Sequence, residues 1–206
     1  GPRLFNLRGE INQVKNIIAL LKDRPASRRA TIQLFDGDDL TNQHKDIPCT
    51  CTLQFIVRNE QLNMITYMRS NDAFFGLPHD IFCFTMIQEI VARSIGKELG
   101  FYKHFVGSLH LYEDKVEEAK QYLNEGYQGT KNPMPPMPEV DPWEMIDKVM
   151  GLEGEIRRGN QIDIESHNLT TYWKDIVLLL IIHSLFVKRD LINIRSFAEQ
   201  VNDPVY

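Results

Sequence analysis

Cysteine is scarce in this chain. Cys49, Cys51 and Cys83 are the three in 206 residues, an odd number and too few for a disulfide framework, which points to a reducing compartment. Long apolar runs are missing as well. The longest, Val177 to Val187, has 11 residues and includes His183 and Ser184, whereas a membrane span needs about 20. Nor is there a surplus of positive charge. The 23 lysines and arginines against 28 aspartates and glutamates give −5, which disfavours a general nucleic-acid or anionic-membrane footprint. A small anionic ligand needs only a few local arginines and stays open. The opening Gly1-Pro2-Arg3-Leu4-Phe5 has neither the apolar stretch of a signal peptide nor an amphipathic transit pattern. The expectation is a cytoplasmic protein with no membrane or nucleic-acid partner. What the chain does contain, 43% hydrophobic and 25% charged residues, matches globular averages and excludes wholesale disorder.

Hydrophobic spacing divides the chain. Ile11, Val14, Ile17, Ile18 and Leu21 recur at helical intervals until Arg24-Pro25 stops them. Ala30 to Phe35, Thr52 to Val57 and Gln61 to Met68 are short β-branched and aromatic runs, the last two joined by Asn59-Glu60, and predict antiparallel sheet. Pro78 to Gly96 predicts a long, largely buried helix, Phe101 to Tyr112 a strand, and Asp114 to Asn124 a charged, exposed helix. Gly126 to Pro142 holds five prolines and reads as an extended connector. Trp143 to Arg158, Leu169 to Lys188 and Leu191 to Val201 read as helices, with Val177 to Val187 buried. The fold class is α+β, with a core at 1–125, a proline-rich connector at 126–142 and a helical C-terminal region at 143–206.

Four local signals could carry chemistry. Cys49, after Pro48 and at the mouth of a strand, could be a nucleophile if a neighbouring cation favours its thiolate; a buried structural cysteine is the alternative. Cys49 and Cys51, two apart, would share a strand face, with His44 nearby, but the usual metal-ligand spacing and a fourth ligand are lacking, so no metal is assigned. Arg69-Ser70-Asn71-Asp72 and Gly76-x-Pro78-x-Asp80 crowd polar groups between two apolar elements. There an Arg69–Asp72 ion pair and a helix cap at Asp80 are the plain readings. His110 and Tyr112 alternate with apolar residues and so point to one side of a strand. Arg28 and Arg29, after Ser27, could hold a phosphate.

Taken in order, these motifs resemble the thymidylate synthase family, from about Gln13 to about Leu123. Ser27-Arg28-Arg29, Pro48-Cys49, Arg69-Ser70-Asn71-Asp72 through Gly76-x-Pro78-x-Asp80, and His110-Leu111-Tyr112 stand where that family carries its own versions. The resemblance implies a mixed sheet with packed helices that dimerises back to back, here with a helical C-terminal layer added. It also implies transfer of a one-carbon unit from 5,10-methylenetetrahydrofolate to C5 of a pyrimidine nucleoside monophosphate. In this scheme Cys49 adds to C6 of the base, and Arg69 both favours the thiolate and binds the nucleotide phosphate beside Ser70. Arg28 and Arg29, lent by the partner of a homodimer, complete the phosphate grip. Asp72 bonds the pyrimidine, and His110 and Tyr112 hold the sugar hydroxyl.

The departures from the family pattern are informative. Asp80 stands where thymidylate synthases carry asparagine, whose amide can donate to O4 and accept from N3–H of uracil. An ionised carboxylate only accepts, so it opposes O4 and suits the N4 amino group of cytosine, and a protonated carboxyl could also donate to N3. Aspartate here resembles the deoxycytidylate and cytidylate hydroxymethylases of the same family. It implies hydroxymethylation of CMP or dCMP, with synthesis of dTMP from dUMP as the alternative. Met68, Thr50 and Ser108 replace the family's glutamine, histidine and aspartate. The opening pentapeptide resembles an internal Gly-Pro-x-Tyr-Gly segment, which implies that the family's N-terminal part, with its catalytic glutamate, is missing. Tyr172, Trp173 and His167 could pack on a cofactor, though core aromatics are the plainer reading. A noncatalytic nucleotide-binding dimer of the same fold is the reading from another class, and retention of Cys49 with Arg69 argues against it.

Overall fold

Asn12 opens the first long helix by accepting from the Lys15 N–H at 2.8 Å, and an extended Arg24 ahead of Pro25 closes it. This is α2 (Gln13–Asp23), preceded by the one-turn α1 (Pro2–Phe5). The computed structural model describes residues 1–41, 46–126, 129 and 133–203. It divides into two units, Gly1–Tyr127 and Gln128–Tyr206.

In the first unit, β1 (Thr31–Gln33), β2 (Thr50–Arg58) and β3 (Gln61–Met68) pair antiparallel. Asn59 and Glu60, with φ of 52° and 61°, form the two-residue turn whose twist suits a hairpin. After β4 (Asn71–Asp72), α3 (Gly76–Ile95) crosses over, so that β5 (Glu98–Val106) joins β3 in parallel. Gly96 makes the crossing possible by ending α3 at φ 63°. The four-stranded order is β1-β2-β3-β5, a mixed sheet. The expected strand from Phe101 to Tyr112 breaks at Gly107, whose N–H bonds Met68 O at 2.8 Å. Its far end becomes β6 (Leu109–His110), paired parallel with β4. The charged segment that follows is α4 (Val116–Asn124).

The core lies on one face of this sheet. Ile32, Leu53, Phe55, Leu62, Met64 and Met68 are buried there, with Val14 and Leu21 of α2 and Phe84 and Val91 of α3. On α3 the buried residues are Phe84, Gln88, Glu89, Val91, Ala92 and Ser94, all from Phe84 onward, so Ile81, Phe82 and Cys83 in its early turns are exposed, against the expectation of a largely buried helix. The other sheet face leaves Tyr67, Phe101 and Phe105 about half exposed.

Gly100 sits where β5 meets an irregularity in β3 between Leu62 and Met64. Asn63, buried there, accepts from Phe101 N–H at 3.0 Å, and a Cβ on residue 100 would stand 2.2 Å from Asn63 Oδ1 and 3.1 Å from Leu62 O. Gly100→Ala is therefore expected to destabilise the unit by about 2 kcal/mol or more, read as a lower urea midpoint.

In the second unit, α5 (Trp143–Arg158), α6 (Thr171–Val187) and α7 (Leu191–Ala198) share a core of Leu152, Ile156, Ile164, Val177, Leu178 and Ile181. Tyr172 and Trp173 are buried edge to face, 5.1 Å apart, as core aromatics. Asp175 is buried and accepts from Asn202 and Asp203 backbone N–H groups, tying the chain end to α6. The run from Val177 to Val187 is only partly buried. Its last turn, Phe186 and Val187, is exposed because the shared core ends at Ile181 and Leu185. No helix among the described residues is long and apolar enough to cross a membrane.

Candidate active site

Arg69 holds the segment that carries Cys49. Its Nε and Nη2 donate to the carbonyls of Pro48 and Ile47, both at 3.0 Å, and its N–H bonds Cys49 O at 2.9 Å. Two carbonyls gripped by one planar guanidinium fix the loop as a single ammonium could not. Cys49 itself is exposed, on the segment that this cation holds. The ion pair with Asp72, the plain expectation for Arg69, is not formed. Cys51 occupies a bulge in β2 between Thr50 and Thr52, and its thiol turns back to Cys49 O at 3.9 Å. The bulge breaks the two-residue alternation that would align Cys49 and Cys51 on one face. His44, the third group considered with them, lies outside the described residues.

The β4–β6 pair assembles a second group. Asn71 is in register with Leu109 and Asp72 with His110. Ser70 Oγ lies 3.4 Å from His110 Nδ1, and the His110 and Tyr112 rings meet at 89° with centroids 4.9 Å apart. Ser70, Asp72, His110 and Tyr112 are thus brought together.

Asp72 accepts from the N–H groups of Phe74, Phe75 and Gly76 at 3.3, 2.7 and 3.0 Å, and so anchors the turn into α3. Burial pushes its carboxyl upward, but these N–H bonds and His110 outweigh that and hold it below its ordinary 3.8. Such a group stabilises the fold fully above the unfolded value and ceases to do so as pH falls through the folded one. Asp72→Ala is expected to cost about 2 kcal/mol near neutral pH. The gap in urea midpoints between wild type and variant should close as pH drops below 3.8.

The helix cap expected of Asp80 is therefore supplied elsewhere. Because α3 begins at Gly76, Asp80 is its fifth residue, past the free N–H groups. Its half-buried carboxyl is raised above the ordinary value by burial, against the pull of His104, His79 and a hydrogen bond from Asn71. Sequence reasoning missed this surrounding group. Asn71 Nδ2 lies 3.1 Å from His104 Nε2, and His104 Nδ1 lies 2.6 Å from the Tyr102 hydroxyl. Tyr102 and His104, polar residues two apart on a strand whose alternate positions face the core, were the available signal.

Arg28 and Arg29 are exposed and stand apart from Cys49. Ala30 O accepts from Phe55 N–H at 2.8 Å, and the six strand steps from Phe55 back to Cys49 span roughly 20 Å. One chain does not bring these arginines to the thiol.

Comparison with known proteins follows the same residues. The family model described as thymidylate synthase matches residues 4–143. The chain belongs to the thymidylate synthase family. Thymidylate synthases of Listeria monocytogenes serotype 4a and Listeria innocua serovar 6a are each 32% identical to it over 114 residues, 55% of this chain and 36% of theirs. The chain thus matches about a third of the length of these thymidylate synthase relatives. The mixed sheet, the crossover helix and the Cys49, Arg69 and His110 segments all fall inside the family match.

Proposed function

We propose that this chain transfers a one-carbon unit to C5 of a pyrimidine nucleoside monophosphate, with a cytidylate as the favoured substrate and hydroxymethylation as the reaction. The observation that carries the reading is the exposed Cys49 thiol on a loop clamped by Arg69. Cys49 Sγ adds to C6, and the electron pair released to C5 makes that carbon nucleophilic. Arg69 spends Nε and Nη2 on carbonyls; its remaining edge has no partner among the described residues and faces the nucleotide phosphate with Ser70 Oγ. His110 and Tyr112 hold the sugar hydroxyl, and the Asp72 N–H or carboxylate meets the base. Asp80 reads position 4 of the pyrimidine, supported by its release from helix capping.

The co-substrate, 5,10-methylenetetrahydrofolate, supplies the one-carbon unit as an electrophile. Exposed Ile81 and Phe82, next to Asp80, offer the apolar surface a flat pterin needs, whereas buried Tyr172 and Trp173 do not. Arg28 and Arg29 complete the phosphate site of a second copy in a homodimer. Their distance from Cys49 within one chain supports this, as does the open sheet face bearing Tyr67, Phe101 and Phe105.

A second reading, methylation of dUMP, is favoured by the name of the curated relatives. Release of tritium from C5-labelled CMP, dCMP and dUMP with the folate present separates the two. Release from a cytosine nucleotide supports the cytidylate reading; release from dUMP alone contradicts it.

A further inference from the structure

A cavity of about 610 Å³ opens in the second unit, between the end of α5, the last turns of α6 and one side of α7. That volume falls in the range of small-molecule pockets. Its lining residues lie between Ile156 and Phe197, outside residues 4–143 that match the family, so the proposed one-carbon chemistry gives it no use. Ile156 and Ile181 are buried and Ile162, Leu185 and Phe197 half-buried, which makes the floor apolar. Ile181, Ser184, Leu185 and Lys188 recur at three- and four-residue steps and so bring floor and rim to one side of α6.

The rim is polar, and its groups divide into used and unused. Asp190, the one acid among the lining residues, caps α7 by accepting from Asn193 N–H at 3.2 Å and Nδ2 at 2.6 Å. Asn160 Nδ2 donates to Glu155. The Lys188 ammonium, the Gln161 amide and the Ser184 and Ser196 hydroxyls have no partner among the described residues. Gly159 ends α5 at φ 84°, and a Cβ on it would stand 3.7 Å from Lys188 Nζ, which places the ammonium by the end of α5. The carbonyl ends of α5 and α6 favour a cation there, yet none of the described carbonyls accepts from it, so its three donors are free.

We propose that this cavity binds a small amphipathic anion, with an aromatic or branched apolar body on the floor and one carboxylate or sulfonate on Lys188. The two halves of the site decide the class together. An uncharged apolar molecule leaves the ammonium without an acceptor, and a bare anion such as inorganic phosphate leaves the floor uncovered. Ser184, Ser196 and Gln161 supply donors for the remaining oxygens.

Fluorescence titration of the full chain with 8-anilinonaphthalene-1-sulfonate and with N-phenyl-1-naphthylamine, the same rings without the sulfonate, tests this. Saturable binding of both dyes is expected. Lys188→Met, which keeps the apolar stem and loses the charge, is expected to weaken the sulfonate about tenfold and leave the neutral dye unchanged. Ser184→Trp fills the cavity from α6 and is expected to abolish both; Ser196→Trp does so from α7 and decides in its place if circular dichroism shows that Ser184→Trp does not fold. 1-Naphthoate is expected to displace the sulfonate dye at concentrations where inorganic phosphate does not. Unchanged sulfonate binding in Lys188→Met, or unchanged binding of both dyes in a folded filled variant, would put the dyes elsewhere and overturn the proposal. Absence of saturable binding, or equal displacement by phosphate, would overturn it as well.

Discussion

Cys49→Ala is expected to reduce C5 tritium release by a factor on the order of 10⁴ or more, while dCMP and dUMP bind as before. The size follows from the role: removing the attacking sulfur removes the covalent step. The fold has little reason to suffer. Cys49 is exposed, and the bond from its carbonyl to Arg69 N–H is a backbone bond that alanine keeps. Circular dichroism melting is the control, and a matched melting curve with lost release is the expected pair of results.

Asp80→Asn is expected to invert the substrate preference, raising dUMP relative to dCMP by about 10² or more in kcat/KM. The magnitude comes from buried hydrogen-bonding groups at position 4 of the base, which go unpaired when donor meets donor or acceptor meets acceptor. An amide donates to O4, which the carboxylate cannot do when ionised. The substitution should not cost stability. Asp80 is past the helix cap, and burial already opposes its charge. A melting temperature at or above the wild-type value, with the preference reversed, separates base reading from a general structural effect.

Periodicity located the elements well because α2, β2 and β3 each bury one clear stripe. It misjudged where α3 begins. Pro78 reads as a helix start, yet a proline is tolerated within the first turn, where N–H groups are free anyway, and the helix begins at Gly76. That shift of two residues moves Asp80 out of the capping position and gives the anchoring work to Asp72. It also misjudged burial at both ends of helices that outrun their cover, at Ile81 and Phe82 of α3 and at Phe186 and Val187 of α6.

At the candidate site, Ser70 and Asp72 lie in one motif singled out from the sequence and His110 and Tyr112 in another, and the in-register pairing of β4 with β6 brings the two together. The Arg69 clamp on Ile47 and Pro48 was not legible, since it depends on a side chain reaching 22 residues back to carbonyls. The line from Tyr102 through His104 to Asn71 was hidden for the same reason. Its members are adjacent only once α3 has carried β5 back beside β3.

The central claim is that Cys49 forms a covalent bond to C6 of a pyrimidine nucleotide. Its most direct measurement is peptide-resolved intact mass after incubation with 5-fluoro-dCMP or 5-fluoro-dUMP and 5,10-methylenetetrahydrofolate, since fluorine at C5 cannot leave as a proton does. The account predicts a nucleotide-bearing adduct on the peptide containing Cys49, absent in Cys49→Ala and favouring the cytosine analogue. No adduct with either analogue, or an adduct on another residue, would contradict it.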